Sequence, residues 1–266
     1  MMTLLKRQLR CVSPRAYARL REAWNPWVRL TCKVGRRQNW LVATGPFAGM
    51  RYIDNAHGSR LIPKLVGSYE SELHGVIGQM ISAAPKLVVD VGCAEGYYAV
   101  GFARALPQAK VVGFDISEEA RRLCGELAEL NGVSDRVAVE GRCDWATLGR
   151  LPLAGALVIV DCEGFELELL RPDQVPGLVH ASILVELHDC FVPGLTSELL
   201  GRFEATHRIQ LIPMQGRDPD GYPTLRGLGA SERARAIDED RRINGRPIEQ
   251  QWAFLEPHES QPRLAP

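Results

Sequence analysis

The run Leu87-Val88-Val89-Asp90-Val91-Gly92-Cys93-Ala94-Glu95-Gly96-Tyr97-Tyr98 decides the fold. Its first five residues predict a buried strand, the glycine-bounded segment a turn, and the residues that follow a helix. A second apolar run, Val111-Val112-Gly113-Phe114, ends on Asp115, nineteen residues after Gly96. Strand, glycine turn, helix and a second strand closing on a carboxylate describe the nucleotide-binding half of an α/β fold.

Outward from this core the alternation continues. Apolar runs at 87–91, 111–114, 137–139, 157–160 and 183–187 are strand candidates, and helix patterns occupy 96–106, 117–131, 145–151 and 165–170. Ser117-Glu118-Glu119-Ala120 offers a serine cap with acids in the first turn, and Asn131-Gly132 a stop. Later, Arg208-Ile209-Gln210-Leu211-Ile212-Pro213 and Gln251-Trp252-Ala253-Phe254-Leu255 predict an antiparallel pair, which brings the sheet to seven strands. Between them 215–250 is too long for a hairpin, so it reads as an insertion that covers the substrate and carries a charged helix around 231–242. Ahead of the core, Gly45-Pro46-Phe47-Ala48-Gly49-Met50-Arg51-Tyr52 predicts a strand or hairpin, and Gly67-Ser68-Tyr69-Glu70-Ser71-Glu72-Leu73 starts a helix. The expected organisation is a basic helical extension and hairpin at 1–66, a Rossmann-like doubly wound domain at 67–256, and a frayed tail at 257–266.

With 266 residues, 45% of them hydrophobic, the chain can bury a full core as one large domain with extensions. Lys and Arg number 32, as do Asp and Glu, so whole-chain charge recommends neither nucleic acid nor a membrane as partner. The first forty residues depart from this balance. Lys6, Arg7, Arg10, Arg15, Arg19, Arg21, Arg29, Lys33, Arg36 and Arg37 face the single acid Glu22. This reads either as a solvated helix face or as a docking helix, with homo-oligomerisation among its uses. Seven cysteines, an odd number without a CxxC pair, argue against a disulfide framework or zinc knuckle and for free thiols in a reducing cytoplasm. No apolar stretch approaches the roughly twenty residues of a membrane helix. The start lacks the apolar core of a secretory signal, although its arginine-rich, acid-poor character resembles an organellar transit peptide.

The glycine spacing narrows the ligand. Gly92-Cys93-Ala94-Glu95-Gly96 is GxxxG, which is not the GxGxxG that packs a pyrophosphate against a helix, and no Gly-Lys-Ser/Thr occurs. The turn suits a ligand without phosphates. Its Asp-x-Gly-x-x-x-Gly pattern resembles motif I of the class I S-adenosylmethionine (SAM) methyltransferases. That resemblance implies SAM as cofactor, with Asp90, Gly92, Cys93, Ala94 and Gly96 along its methionine end. Asp115 then matches the ribose-binding acid, with Ile116 beside it. One carboxylate can accept hydrogen bonds from two vicinal hydroxyls. Asp144, in Val139-Glu140-Gly141-Arg142-Cys143-Asp144-Trp145, broadly matches the adenine-facing segment, and Glu70 the acid often found just ahead of motif I. The bland alternative is a βα turn whose glycines serve only packing, with Asp115 a solvated strand end.

Two further constellations carry chemistry. Leu157-Val158-Ile159-Val160-Asp161-Cys162-Glu163-Gly164-Phe165-Glu166 places Asp161 and Glu163 at a strand end, where ligands of doubly wound sheets collect. Ile183-Leu184-Val185-Glu186-Leu187-His188-Asp189 ends the next strand, and period-two alternation sets Glu186 and His188 on one side. If the strands end level, Asp161, Glu163, Glu186 and Asp189 converge with His188. Two readings stay open for methyl transfer to oxygen. His188 could take the hydroxyl proton as general base, or Asp161, Glu186 and Asp189, with or without His188, could hold Mg²⁺ that acidifies the hydroxyl. Structural roles compete: Glu163 as a helix cap and Glu166 as a solvated first-turn acid.

The stretch Val160-Asp161-Cys162-Glu163-Gly164-Phe165-Glu166-Leu167-Glu168-Leu169-Leu170 resembles the Asp-x-Glu-Gly-x-Glu-x-x-x-Leu signature of FkbM-type methyltransferases. The similarity covers about 67–189. It implies a SAM-dependent enzyme that methylates a hydroxyl on a small molecule, sugar or polyketide-like natural product, with Asp161 and Glu163 beside the transferred methyl. Cys93-Ala94-Glu95 departs from the turn common in that family, and His188-Asp189 maps to no fixed family role. RNA or protein as acceptor, or a non-catalytic SAM-fold interaction protein, are the alternatives. The Asn/Asp-Pro-Pro-Tyr/Phe tetrad of many amino-methylating enzymes is absent, and Asp161-Cys162-Glu163-Gly164 stands in its place.

Overall fold

The computed structural model describes residues 25–258 apart from 244, 245 and 249. The basic residues before 25, Cys11 and the tail from 259 lie outside the described residues.

The N-terminal part opens with α1 (Pro26–Arg37), started by Asn25, whose side chain accepts from the N–H groups of Trp27 and Val28 ahead of the proline-led first turn. A turn at 45–49 follows, closed by a single antiparallel bridge between Leu41 and Arg51, so the expected hairpin is reduced to its turn. Next come α2 (Leu61–Val66), a 3₁₀ turn (Ser71–Leu73) and α3 (His74–Ala83). Then the core alternates: β1 (Leu87–Val91), α4 (Tyr97–Ala105), β2 (Lys110–Phe114), α5 (Glu118–Leu130), β3 (Val137–Glu140), α6 (Trp145–Leu148), β4 (Leu157–Val160), α7 (Glu166–Leu169) and β5 (Ser182–Leu187). α5 starts as expected, with Ser117 accepting from Ala120 N–H. α6 is shorter than the pattern at 145–151, because Gly149 and Pro152 interrupt it.

After α8 (Leu195–Gly201) and β6 (His207–Pro213), the insertion holds α9 (Ala230–Ala236) and a two-strand ribbon, β7 (Arg242–Ile243) with β8 (Arg246–Pro247). The helix expected to 242 stops at Ala236 because the chain turns at Asp238 and Asp240. Asp240 N–H donates to the Asp238 carboxylate, and Arg242 N–H to Asp240 O. β9 (Gln251–Pro257) returns to the sheet, so position 257 of the expected tail is strand.

The seven strands lie in the order β3-β2-β1-β4-β5-β9-β6. β1 to β5 are parallel, and β9 runs antiparallel to both β5 and β6. This is the mixed, doubly wound Rossmann-like sheet. Its order reverses between β1 and β4, the crevice position for ligands. Alternation splits the core into two layers. Val88, Leu157, Ile159, Leu184 and Trp252 face one side, while Val89, Val91, Val158, Val160, Ile183 and Val185 face the other.

The segment ahead of the core packs on the first of these layers. Leu30, Val34, Val42, Phe47 and Met50 belong to the same buried cluster as Val88, and the Phe47 ring meets Tyr97 and Phe102 edge-on, each at 5.3 Å. The described part of the basic stretch contacts its own chain: Lys33 pairs with Glu232 of α9 at 2.9 Å, and Arg37 reaches Arg226 O.

Candidate functional site

The turn after β1 passes through three left-handed residues, Gly92 (φ 88°), Ala94 (φ 47°) and Gly96 (φ 95°). Glycine is required at Gly92 by a close approach as well as by φ, since a Cβ there would lie 1.6 Å from the carbonyl oxygen of Asp161. Packing therefore explains this glycine, and it seats the end of β4 against the turn. At Gly96 the neighbour is Cys124 Sγ, 2.7 Å from a built Cβ. The Cys93 thiol also turns inward, and its hydrogen bond with Cys124, followed by burial, pushes its pKa up.

Asp115 ties the turn to the end of β2. One carboxylate oxygen accepts from Ala94 N–H at 3.0 Å and the other from Ser117 N–H at 2.8 Å. Ala94 thus spends its donor inside the protein. Each Asp115 oxygen keeps a lone pair for a further donor. Ile116, next in sequence, is 82% exposed. Asp90 is buried on β1 with Oδ2 unpartnered, and burial lifts its pKa to about 7. Asp144 is exposed and serves as the cap of α6, accepting from Thr147 N–H at 2.8 Å.

β5 runs two residues past the end of β4, and the side chains at and beyond the two strand ends converge. His188, fully buried, places Nδ1 2.7 Å from Glu166 Oε1. Its Nε2 lies 3.5 Å from Glu186 Oε2, 3.6 Å from Asp161 Oδ1 and 3.7 Å from Glu163 Oε2, yet makes no hydrogen bond. Glu163 (φ 57°) and Gly164 (φ 102°) bulge outward after β4, leaving the Glu163 side chain 71% exposed and Asp161 33% exposed. Glu163 therefore borders the crevice and caps no helix. Phe191 stacks on the imidazole at 5.6 Å.

Charge distribution sets the protonation. Burial alone would lower the His188 pKa, but the hydrogen bond to Glu166 and the adjoining charges of Glu186 and Asp161 hold it up at about 11. A pKa held up in this way opposes the base role expected of the ring. Asp161 is raised by burial and by Glu186. Glu186, despite burial, is lowered by the adjoining charges of His188 and Arg241.

Two expectations are corrected here. Asp189 stands outside the cluster, exposed, where its carboxylate accepts from the Thr196 N–H and hydroxyl in the first turn of α8. One residue past the period-two pair, it leaves on the opposite side. Glu166, expected as a solvated acid, is instead fully buried as the partner of His188, and it also accepts from Cys162 N–H. The four carboxylates around the imidazole are thus Asp161, Glu163, Glu166 and Glu186.

The insertion supplies what sequence reading missed. Arg217 pairs with Glu72 at 2.6 Å and with Glu239 at 2.9 Å. Arg241 lies 3.3 Å from Glu70, 3.1 Å from Glu239 and 3.9 Å from Glu186. Glu70, in the left-handed region at φ 46°, also accepts from the Tyr98 hydroxyl, and burial lifts its pKa to about 8 against the opposing charge of Arg241. Two buried guanidinium groups therefore rivet the insertion to the core beside Glu186. Arg217→Met is expected to destabilise the fold by about 2–3 kcal/mol in urea unfolding, since Arg241 remains to share the acids. A loss below about 1 kcal/mol would show the rivet to be idle.

Residues 84–153 match the family model described as a methyltransferase domain. Over 130 residues, 49% of this chain, the sequence is 32% identical to the release factor glutamine methyltransferase of Deinococcus radiodurans, of which it covers 43%. The chain thus spans less than half the length of that relative. Among solved structures it is similar to the O-methyltransferase TomG of Streptomyces achromogenes, involved in tomaymycin synthesis and solved with SAM. That likeness has 12% identity and a TM-score of 0.45, over 87% of this chain and 90% of that one. It is also similar to the C-terminal domain of precorrin-6Y C5,15-methyltransferase of Rhodobacter capsulatus, with 17% identity and a TM-score of 0.43 over 70% and 89%. Among the described residues no helix is long and apolar enough to cross a membrane.

Proposed function

We propose that this chain is a SAM-dependent methyltransferase of FkbM-like type, acting in the cytoplasm on a hydroxyl of a small molecule, sugar or natural product. The observation that carries the reading is the cluster of Asp161, Glu163, Glu186 and His188 at the carboxyl ends of β4 and β5, joined to the glycine turn where the Asp161 carbonyl abuts Gly92. The match of 84–153 to a methyltransferase domain supports it.

The residues present fit the cofactor. The unpartnered Asp90 Oδ2 offers an acceptor at the turn, Asp115 retains lone pairs for two ribose hydroxyls, and exposed Ile116 offers an apolar surface to a planar base. When bound, SAM supplies an electrophilic methyl whose departure returns the bonding pair to sulfur. The carboxylates at the ends of β4 and β5 would orient an acceptor hydroxyl. Glu163, exposed at the crevice, would take the proton of that hydroxyl.

Calorimetry tests this first. The wild type is expected to bind SAM, and Asp115→Ala to weaken it at least tenfold, since two charge-assisted hydrogen bonds are lost. A wild type that binds neither SAM nor S-adenosylhomocysteine overturns the reading. A protein acceptor is the second reading, favoured by the sequence match to the glutamine methyltransferase. Assays offering hydroxylated small molecules and a glutamine peptide side by side separate the two.

A further inference from the structure

We infer that Asp161, Glu186 and His188 form a binding site for one divalent transition-metal ion, with Glu166 as its outer support. The site deepens the methyltransferase reading, because it names what would activate the acceptor. The metal chemistry itself stands on the geometry alone.

The buried imidazole is the first observation. His188 has no solvent exposure, and its Nε2 has no hydrogen-bond partner although three carboxylate oxygens surround it. Glu166 holds Nδ1 from behind at 2.7 Å, which orients the ring so that Nε2 points into the cluster. A carboxylate behind an imidazole whose other nitrogen faces further donors is the usual outer arrangement of a metal-binding histidine.

Spacing is the second. Bonds of about 2.0–2.2 Å to a tetrahedral ion separate its ligands by roughly 3.4 Å. Nε2 stands 3.6 Å from Asp161 Oδ1 and 3.5 Å from Glu186 Oε2, and one donor atom from each of the three residues lies within 4.8 Å of the others. Small side-chain adjustments would bring all three onto one ion. Strand register makes this possible: Val160 pairs with Val185, so the residues beyond β4 sit beside Glu186 and its period-two neighbour His188.

Charge and donor type select the ion. Four carboxylates gather here, against the imidazole and Arg241 as the cationic groups near them. One nitrogen and two oxygens suit Mn²⁺, Fe²⁺, Co²⁺ or Zn²⁺, whereas Mg²⁺ prefers an all-oxygen octahedron. Of the expected Mg²⁺ set Asp189 drops out, and His188, which that reading left optional, becomes a ligand. Access runs past Asp161 and Glu163, and on that side an ion would have coordination positions left for an acceptor hydroxyl, whose proton it would acidify.

The test uses Co²⁺ on the full chain after removal of bound metals with a chelator. Calorimetry and visible absorption are expected to show one ion per chain. Proton NMR is expected to show one exchangeable, paramagnetically shifted resonance, from the Nδ1–H of His188 facing Glu166. Glu186→Gln and His188→Gln should each weaken Co²⁺ at least 100-fold and, for the latter, remove that resonance. Glu166→Gln should weaken it about 10- to 100-fold. Asp161→Asn, at a partly exposed position that tolerates change, should lose binding while keeping the native circular dichroism spectrum. Asp189→Asn should stay within twofold of the wild type. Absence of Co²⁺ binding at millimolar concentration overturns the site, as does binding that survives Asp161→Asn and His188→Gln, or that is lost in Asp189→Asn. SAM calorimetry on the metal-free chain separates the failures. Co²⁺ bound without SAM refutes the methyltransferase reading alone, and SAM bound without Co²⁺ refutes the metal site alone.

Discussion

Lys64→Met is expected to remove about 3–5 kcal/mol of folding stability, which in a chain of this size lowers Tm by roughly 10 °C. Glu95 lies inside the glycine turn with no exposure, and Lys64, equally buried, is its cation at 2.5 Å. The Tyr52 hydroxyl and His57 N–H complete its shell at 2.8 and 3.0 Å. These neutral donors cannot balance a buried carboxylate once the ammonium is gone. Removing both charges tests the cause: Lys64→Met with Glu95→Leu should recover most of the loss, because an apolar pair carries no stranded charge. Urea unfolding at pH 7 measures both, and a single-variant loss below 1 kcal/mol would sink the account.

The pH dependence has a definite sign. Burial pushes the Glu95 carboxyl up, but the charge and hydrogen bond of Lys64, with those of His57 and Tyr52, bring it below the ordinary value of 4.5. A depressed folded-state pKa stabilises the fold above the unfolded pKa, and that contribution is lost as pH falls through the folded value. The wild type should therefore lose it only below about pH 4.5, and the double variant should lack that part of the acid limb.

Gly92→Ala is expected to abolish SAM binding, with at least a 100-fold loss of affinity, or to prevent accumulation of soluble protein. Two costs combine. A side chain at φ 88° carries left-handed strain of about 1–2 kcal/mol. The larger cost comes from the Cβ, which at 1.6 Å from the Asp161 carbonyl cannot be accommodated unless the end of β4 moves. That movement displaces Asp161 from its cluster and the turn from Asp115. Gly155→Ala separates the two costs, because Gly155 is also left-handed at φ 70° but has nothing within 4 Å of a built Cβ. It should lose about 1 kcal/mol and keep SAM affinity. Equal stability for the two variants would show that the close approach is not the cause.

These residues mark how far sequence could reach. Gly92, Asp115, Asp161, Glu186 and His188 were legible because each closes a strand or turn whose apolar run gives its place away. Period two then put Glu186 and His188 on one face, where they are found. The function of the glycine was less legible: a motif match points to a ligand, while the geometry shows strand ends in contact. Asp189 and Glu166 exchanged roles, since the first helical turn after a loop can face either way, and only packing against His188 settles which acid is buried.

The sequence by itself determined the alternation of a doubly wound sheet, its closing antiparallel pair, and the strand ends at which acids and a histidine gather. Those are consequences of local periodicity, which acts over a few residues. Only the tertiary structure decided which charges meet. Lys64 with Glu95, Arg217 with Glu72 and Arg241 with Glu70 join residues far apart in the chain, each inside a buried setting where a lone charge would be costly. No local pattern encodes such a pairing, because its stability depends on the low-dielectric surroundings that the folded chain creates around it.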